Sequence, residues 1–176
     1  MSVIIDGSAG VTTNSGAVYN GIQSGTAVAS TSGTAIDFTG IPSWVKRVTV
    51  MFSGVSTSGT SAVLIQLGTS GGIENTGYLG TCAELSGILA TSLYTTGIGI
   101  SGAGTANTRQ GVVTISLFNA STNTWAGMGN VCLSNAAFIS VTSGAKSLSD
   151  VLDRIRITTV NGTDTFDAGS VNIMYE

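Results

Sequence analysis

Alternation of apolar and polar residues narrows the fold of this chain more than any other feature. Val48, Val50 and Phe52 interleave with Arg47, Thr49 and Met51; Ile155 and Ile157 with Arg154 and Arg156; Val171, Ile173 and Tyr175 with Asn172 and Met174. Successive side chains on a strand point to opposite faces, so a period of two sets one face on a core and the other toward water or a neighbour. The same reading places strands at 26–30, 35–38, 47–52, 62–67, 94–100, 111–119, 124–133, 137–141, 152–159 and 171–175. That many short strands separated by turns suits an antiparallel sandwich or barrel.

Composition argues the same way, because 25 Gly, 25 Thr and 23 Ser make up 73 of the 176 residues. Gly costs about 1 kcal/mol in a helix relative to Ala, and Ser and Thr compete there for backbone hydrogen bonds. The only helical spacing is at 147–153, where Leu148, Val151 and Leu152 follow a Ser, and it allows one turn at most. A content of 42% hydrophobic residues, clustered in alternating runs, predicts a folded chain and not a disordered one. Pro42 suits a corner leading into the strongest strand, and 68–77 and 101–108 read as exposed loops.

The length fits one domain with a lead-in. Residues 1–23 comprise a short strand at 2–5, a turn-rich stretch at 6–15, and Ala17-Val18-Tyr19-Asn20-Gly21. Val3, Ile4, Ile5, Val18 and Tyr19 need something to lie against, which predicts a short extended arm for attachment or trimerisation ahead of a head domain at 24–176.

The chemistry available is limited. A formal charge of −3, with no basic cluster beyond Lys46-Arg47, argues against nucleic-acid binding. Met1 to Gly7 do not resemble a secretory signal, and no run has the roughly 20 apolar residues of a membrane-spanning helix. Cys82 and Cys132 lack CxxC spacing and are expected reduced or buried. With no histidine, Ser-His and Cys-His nucleophile systems and the usual zinc sites are excluded, and no cofactor is expected.

Three motif matches fail in context. Gly68-Thr-Ser-Gly-Gly72 fits G-x-S-x-G without a partner base; Gly97-Ile-Gly-Ile-Ser-Gly102 fits G-x-G-x-x-G without a following helix; Ser43-Trp-Val-Lys46 fits S-x-x-K beside Pro42. Asp164 and Asp167 are the nearest carboxylate pair for glycoside cleavage or calcium, but Asn161-Gly162 reads more simply as a hairpin turn whose Asp side chains bond local amides. Asp150, Asp153, Arg154 and Arg156 form a solvated charge cluster or an intersubunit strip. For stacking on sugars, Tyr78 and Tyr94 flank loops and are the better candidates, whereas Trp44 and Trp125 read as core anchors.

Three segments carry a resemblance: Ile41-Pro-Ser-Trp-Val-Lys-Arg-Val-Thr-Val-Met-Phe-Ser-Gly54; Ile65-Gln-Leu-Gly68 with Gly71-Gly-Ile-Glu-Asn-Thr-Gly-Tyr78; and residues 152–176, ending Phe-Asp-Ala-Gly-Ser-Val-Asn-Ile-Met-Tyr-Glu. Over residues 24–176 the chain resembles virion proteins of tailed bacteriophages, of the tail-fibre or head-decoration kind. The lead-in Gly10-Val-Thr-Thr-Asn-Ser-Gly-Ala-Val-Tyr-Asn-Gly21 resembles linkers that open phage fibre modules. The resemblance implies an all-β, jelly-roll-like antiparallel sandwich on a short amino-terminal arm, grouped as a homotrimer and joined to other capsid or tail proteins. It defines no catalytic residue. The expected function is structural, with host-glycan recognition as the alternative, in a virion assembled in the host cytoplasm and released by lysis.

Overall fold

A computed structural model describes residues 21–87, 89–102 and 104–176, together with the backbone of 3–6, 10–13 and 18–19. The described residues are all-β, without a helix. The first strands are β1 (Val3–Asp6), β2 (Gly10–Thr13), β3 (Val18–Tyr19), β4 (Gln23–Ser24), β5 (Val28–Ala29) and β6 (Ile36–Thr39). Then come β7 (Arg47–Thr57), β8 (Val63–Thr69), β9 (Gly72–Glu74), β10 (Leu79–Leu85), β11 (Leu89–Tyr94) and β12 (Ile98–Ile100). The last are β13 (Arg109–Asn119), β14 (Thr124–Leu133), β15 (Ile139–Ser147), β16 (Arg154–Thr159) and β17 (Phe166–Tyr175).

Two antiparallel sheets make a sandwich. The larger runs β11-β10-β15-β14-β13-β7-β17-β4, with β5 also on β17; the smaller runs β12-β8-β16-β6, with β9 on β8. The jelly-roll character lies in nesting: β7 pairs with β17, β8 with β16, β10 with β15 and β13 with β14. The pairs nest inward from the distant β7 and β17 to the consecutive β13 and β14, as in a long ribbon folded back at the β13–β14 turn and rolled.

The alternating segments occupy the places their pattern demands. Val48, Val50 and Phe52 of β7, Ile155 and Ile157 of β16, and Val171 and Ile173 of β17 are buried between the sheets with Ile65, Leu67, Ile98, Ile115 and Trp125. Each such side chain contributes about 1.5–3 kcal/mol when withdrawn from water, so the core lies where the two sheets face each other. Across β7 and β17 the register shifts between Phe166 and Ser170. There Gly54 (φ 66) and Gly169 (φ 86) adopt left-handed conformations back to back, and a Cβ on Gly169 would overlap the Gly54 carbonyl.

Several expectations need correction. Residues 94–100 are not one strand: β11 ends at Tyr94 and β12 begins at Ile98 in the other sheet. The loop expected at 68–77 contains β9, and β10 went unpredicted. The one-turn helix at 147–153 is absent; Leu148 and Leu152 share a spacing because both reach the core from an extended connection. Residues 161–169 do not close a hairpin, since β16 and β17 belong to different sheets and the segment arches between them. In the lead-in, β2 lies within the turn-rich stretch and pairs with both β1 and β3. The side chains of Val3, Ile4, Ile5, Val18 and Tyr19 lie outside the described residues, and so does any contact of the arm that they make.

Candidate functional site

On the larger sheet, every second residue faces away from the core. Register aligns these outward positions into rows: Leu79, Ala145, Ala126 and Ser116; then Leu93, Thr81, Ser143, Met128, Thr114 and Thr49; then Thr91, Ala83, Val141, Asn130, Val112 and Met51. Leu89, Leu85, Ile139 and Cys132 continue the pattern at one end. From β11 to β13 none of these side chains carries a charge. Leu79 is 78% exposed, Leu93 77% and Met128 69%; Leu85, Leu89, Val112, Ile139 and Val141 are exposed as well. The middle of the face is hollowed into a concavity of about 780 Å³ lined by Leu79, Val112, Met128 and Ala145 together with small polar residues. Contiguous exposed apolar area without charge is unusual on a water-facing sheet.

The smaller sheet presents the opposite chemistry. A cleft of about 300 Å³ is lined by Gln66, Asn75, Thr96, Arg156, Thr158 and Asn161, among others. Gln66 is tied by its amide to the Thr96 carbonyl at 2.8 Å, Thr158 donates to the Thr34 carbonyl at 2.9 Å, and Arg156 is held by Asp37 through two bonds of 2.7 Å. That pairing spans the β16 and β6 register and holds the guanidinium above its ordinary pKa.

The aromatic candidates are redistributed. Tyr78, expected at the surface, is 1% exposed. Its hydroxyl accepts from the Leu67 N–H at 2.6 Å, and burial pushes its pKa well up. Beside it, Lys146 pairs with Glu74 at 2.6 Å and lies 5.9 Å from the Tyr78 ring centroid. Burial works to raise the Glu74 pKa, but bonds from Lys146 and Ser149 outweigh it and hold the carboxyl low. Tyr94 is half-buried; its ring covers Gly99, which has no room for a Cβ, and burial followed by the neighbouring Cys82 raises it to about 12. Trp125 is buried as expected, whereas Trp44 is partly exposed and tilted against Tyr175 at 6.0 Å.

The carboxylate pair is locally engaged. Asp164 accepts from the Asn161 side chain at 2.6 Å and the Ser61 N–H at 2.9 Å, which lowers its pKa, and Asp167 accepts from Ser56. Gly162 (φ 67) supplies the left-handed turn, as the Asn-Gly pair predicts. In the charge cluster, Arg154 pairs with Asp153 at 2.9 Å. Of the motif matches, the segment 68–72 turns back from β8 into β9 instead of leading into a helix, and 97–102 holds β12. Among the described residues no group of three His, Cys, Asp or Glu is arranged to hold a metal, and Cys82 and Cys132 are free thiols.

Sequence reasoning missed the apolar face and Arg109. Arg109 is 0% exposed at the start of β13, donates to the carbonyls of Gly102 at 2.7 Å and Asn107 at 3.3 Å, and leaves Nε without a partner. Burial lowers its pKa, partly offset by Asp167. It anchors Gly102 and Asn107, which lie in the stretch read as an exposed loop. The outward leucines of β10 and β11 were the available signal for the face. Comparison with protein-family models, with curated proteins and with solved structures finds no match for the chain.

Proposed function

We propose that this chain is a non-enzymatic structural module of a bacteriophage virion, a surface-fibre or capsid-decoration subunit. Its head works by making protein contacts, and its first 23 residues attach it to the particle. The observation that carries the reading is the uncharged outer face of the larger sheet, with Leu79, Leu93 and Met128 open to solvent. Isolated exposed apolar residues are ordinary, but a contiguous set across several strands is costly to leave in water and useful when covered. The phage setting rests on the resemblance of residues 24–176. Asp164 and Asp167, already engaged by Asn161, Ser61 and Ser56, are assigned to holding the arch and not to bond cleavage.

Deleting residues 1–23 is the test. The truncated head is expected to fold and stay soluble yet be missing from purified particles, and its normal incorporation would refute attachment through the arm.

A second reading, host-glycan recognition, is favoured by the polar cleft, because the exposed Asn75 amide and Thr96 hydroxyl at its wall suit a neutral polyhydroxyl ligand. Saturable binding on a glycan array, lost in Asn75→Ala and Thr96→Ala, supports it; an array without signal at high protein concentration rejects it.

A further inference from the structure

We infer that the outer face of the larger sheet is where copies of this chain meet one another. The inference rests on the structural-module reading above and adds the identity of the partner. It follows from charge, area and the sheet edge taken together.

Charge selects the occupant. The outward rows from β11 to β13 hold no ionisable side chain other than the Cys132 thiol, and the first charge met on β7 is Arg47, which continues the first row beside Ser116 and is paired with Glu176. A strongly charged partner would have to bury its charges against Leu, Val and Met without compensation, which is expensive. A second copy brings a face of the same neutral, apolar and hydroxyl character, so nothing is left unpaired. Thr81, Ser143, Thr114 and Thr49 share one row with Leu93 and Met128, and two such rows can place hydroxyl opposite hydroxyl as the apolar side chains interdigitate.

Area fits as well. The five strands from β11 to β13 at about 4.8 Å spacing, with seven residues at about 3.4 Å each, give a neutral face of roughly 24 by 24 Å. That is about 580 Å² per copy and roughly 1,150 Å² for the pair, above the about 1,000 Å² that a specific interface needs.

The edge extends the argument. β11 ends the sheet with β10 as its one partner among the described residues, and its outward Leu89 and Leu93 are open. Edge strands of monomers are commonly protected by Lys, Pro or inward charge, and Leu89–Tyr94 contains none of these. An unprotected edge continuous with an apolar face is what a contact between copies covers.

The test uses the full chain. Native mass spectrometry and light scattering at about 50 μM are expected to give a homo-oligomer, and Met128→Glu with Val112→Glu, at the centre of the face, to shift it to monomer. The far-UV spectrum should stay unchanged because neither side chain is in the core. Thr39→Glu, on the smaller sheet, is expected to keep the oligomer. If the double variant fails to fold, hydroxyl-radical footprinting of the wild type replaces it: Met128 and Leu93 should be protected at least several-fold at 50 μM relative to a dilute sample. A wild-type chain that is monomeric, or an oligomer that survives both glutamates, overturns the inference. A monomer that still enters particles would overturn the self-contact alone and leave the structural role standing. Two identical faces laid on each other close as a twofold dimer, so a dimer supports this contact and removes the threefold grouping that the resemblance implies, whereas a trimer, which requires two different contact surfaces, overturns it.

Discussion

The Tyr78 hydroxyl meets the backbone of Leu67 in β8, a strand buried along its whole length. Tyr78→Phe keeps the ring and strands the buried Leu67 N–H, which costs about 1–3 kcal/mol. Urea unfolding should show the midpoint falling with an unchanged slope. Asp164 makes a pH prediction of definite sign. Its folded-state pKa lies below the ordinary carboxyl value, first because of Asn161 and then because of Ser61. The folded state therefore gains from the ionised form at any pH above that ordinary value, and the gain disappears as pH falls through the lowered one. Thermal midpoints should fall on acidification below about pH 4, and less steeply in Asp164→Asn; equal slopes would remove Asp164 as a contributor. Glu74 shifts in the same direction, so some acid sensitivity remains in that variant. Legibility at this scale was uneven. The Asn161-Gly162 turn could be read because its geometry is local. The burial of Tyr78 could not, because it depends on β8 and on Lys146, which is 68 positions away and lies in another strand.

Strands are the scale at which the sequence spoke most clearly, though only where one face is apolar and the other is not. β7, β16 and β17 carry that contrast, and their cores follow from it. β10 inverts it: Leu79 and Leu85 point outward while Gly80 and Cys82 point in, so no alternation announced a strand and the leucines gave no hint of which sheet they join. Partner order was equally hidden, because which strand crosses to which sheet depends on connections and not on period. One strand-level feature is testable through Gly169. Its left-handed φ and the backbone of Gly54 behind it leave no place for a side chain, so Gly169→Ala should disrupt the β7 and β17 bulge and cost about 1–3 kcal/mol. Gly21→Ala, with open space around it, is the matched control and should be close to neutral. Equal unfolding midpoints for the two variants would mean that the bulge relaxes freely.

For the molecule as a whole, charge and apolar area are segregated between the two sheets. The smaller sheet carries Arg154, Arg156 and Asp37 on its outer side, while the larger exposes leucine, valine and methionine. The two surfaces answer salt and temperature differently. A contact through ion pairs such as Arg154 with Asp153 weakens as the Debye length shrinks from about 30 Å at 0.01 M to about 3 Å at 1 M salt. A contact through the larger sheet has no pairs to screen, and the small self-repulsion of a chain with net charge −3 is relieved by the same salt. Association should thus be unchanged or tighter between 0.05 and about 0.5 M sodium chloride, tighter again in sulfate, and weaker on cooling toward about 5 °C, as burial of apolar surface requires. Sedimentation velocity across that grid reads all three trends. Loosening with sodium chloride would move the contact to the charged outer side of the smaller sheet, where the Arg154 and Asp153 cluster would become the intersubunit strip.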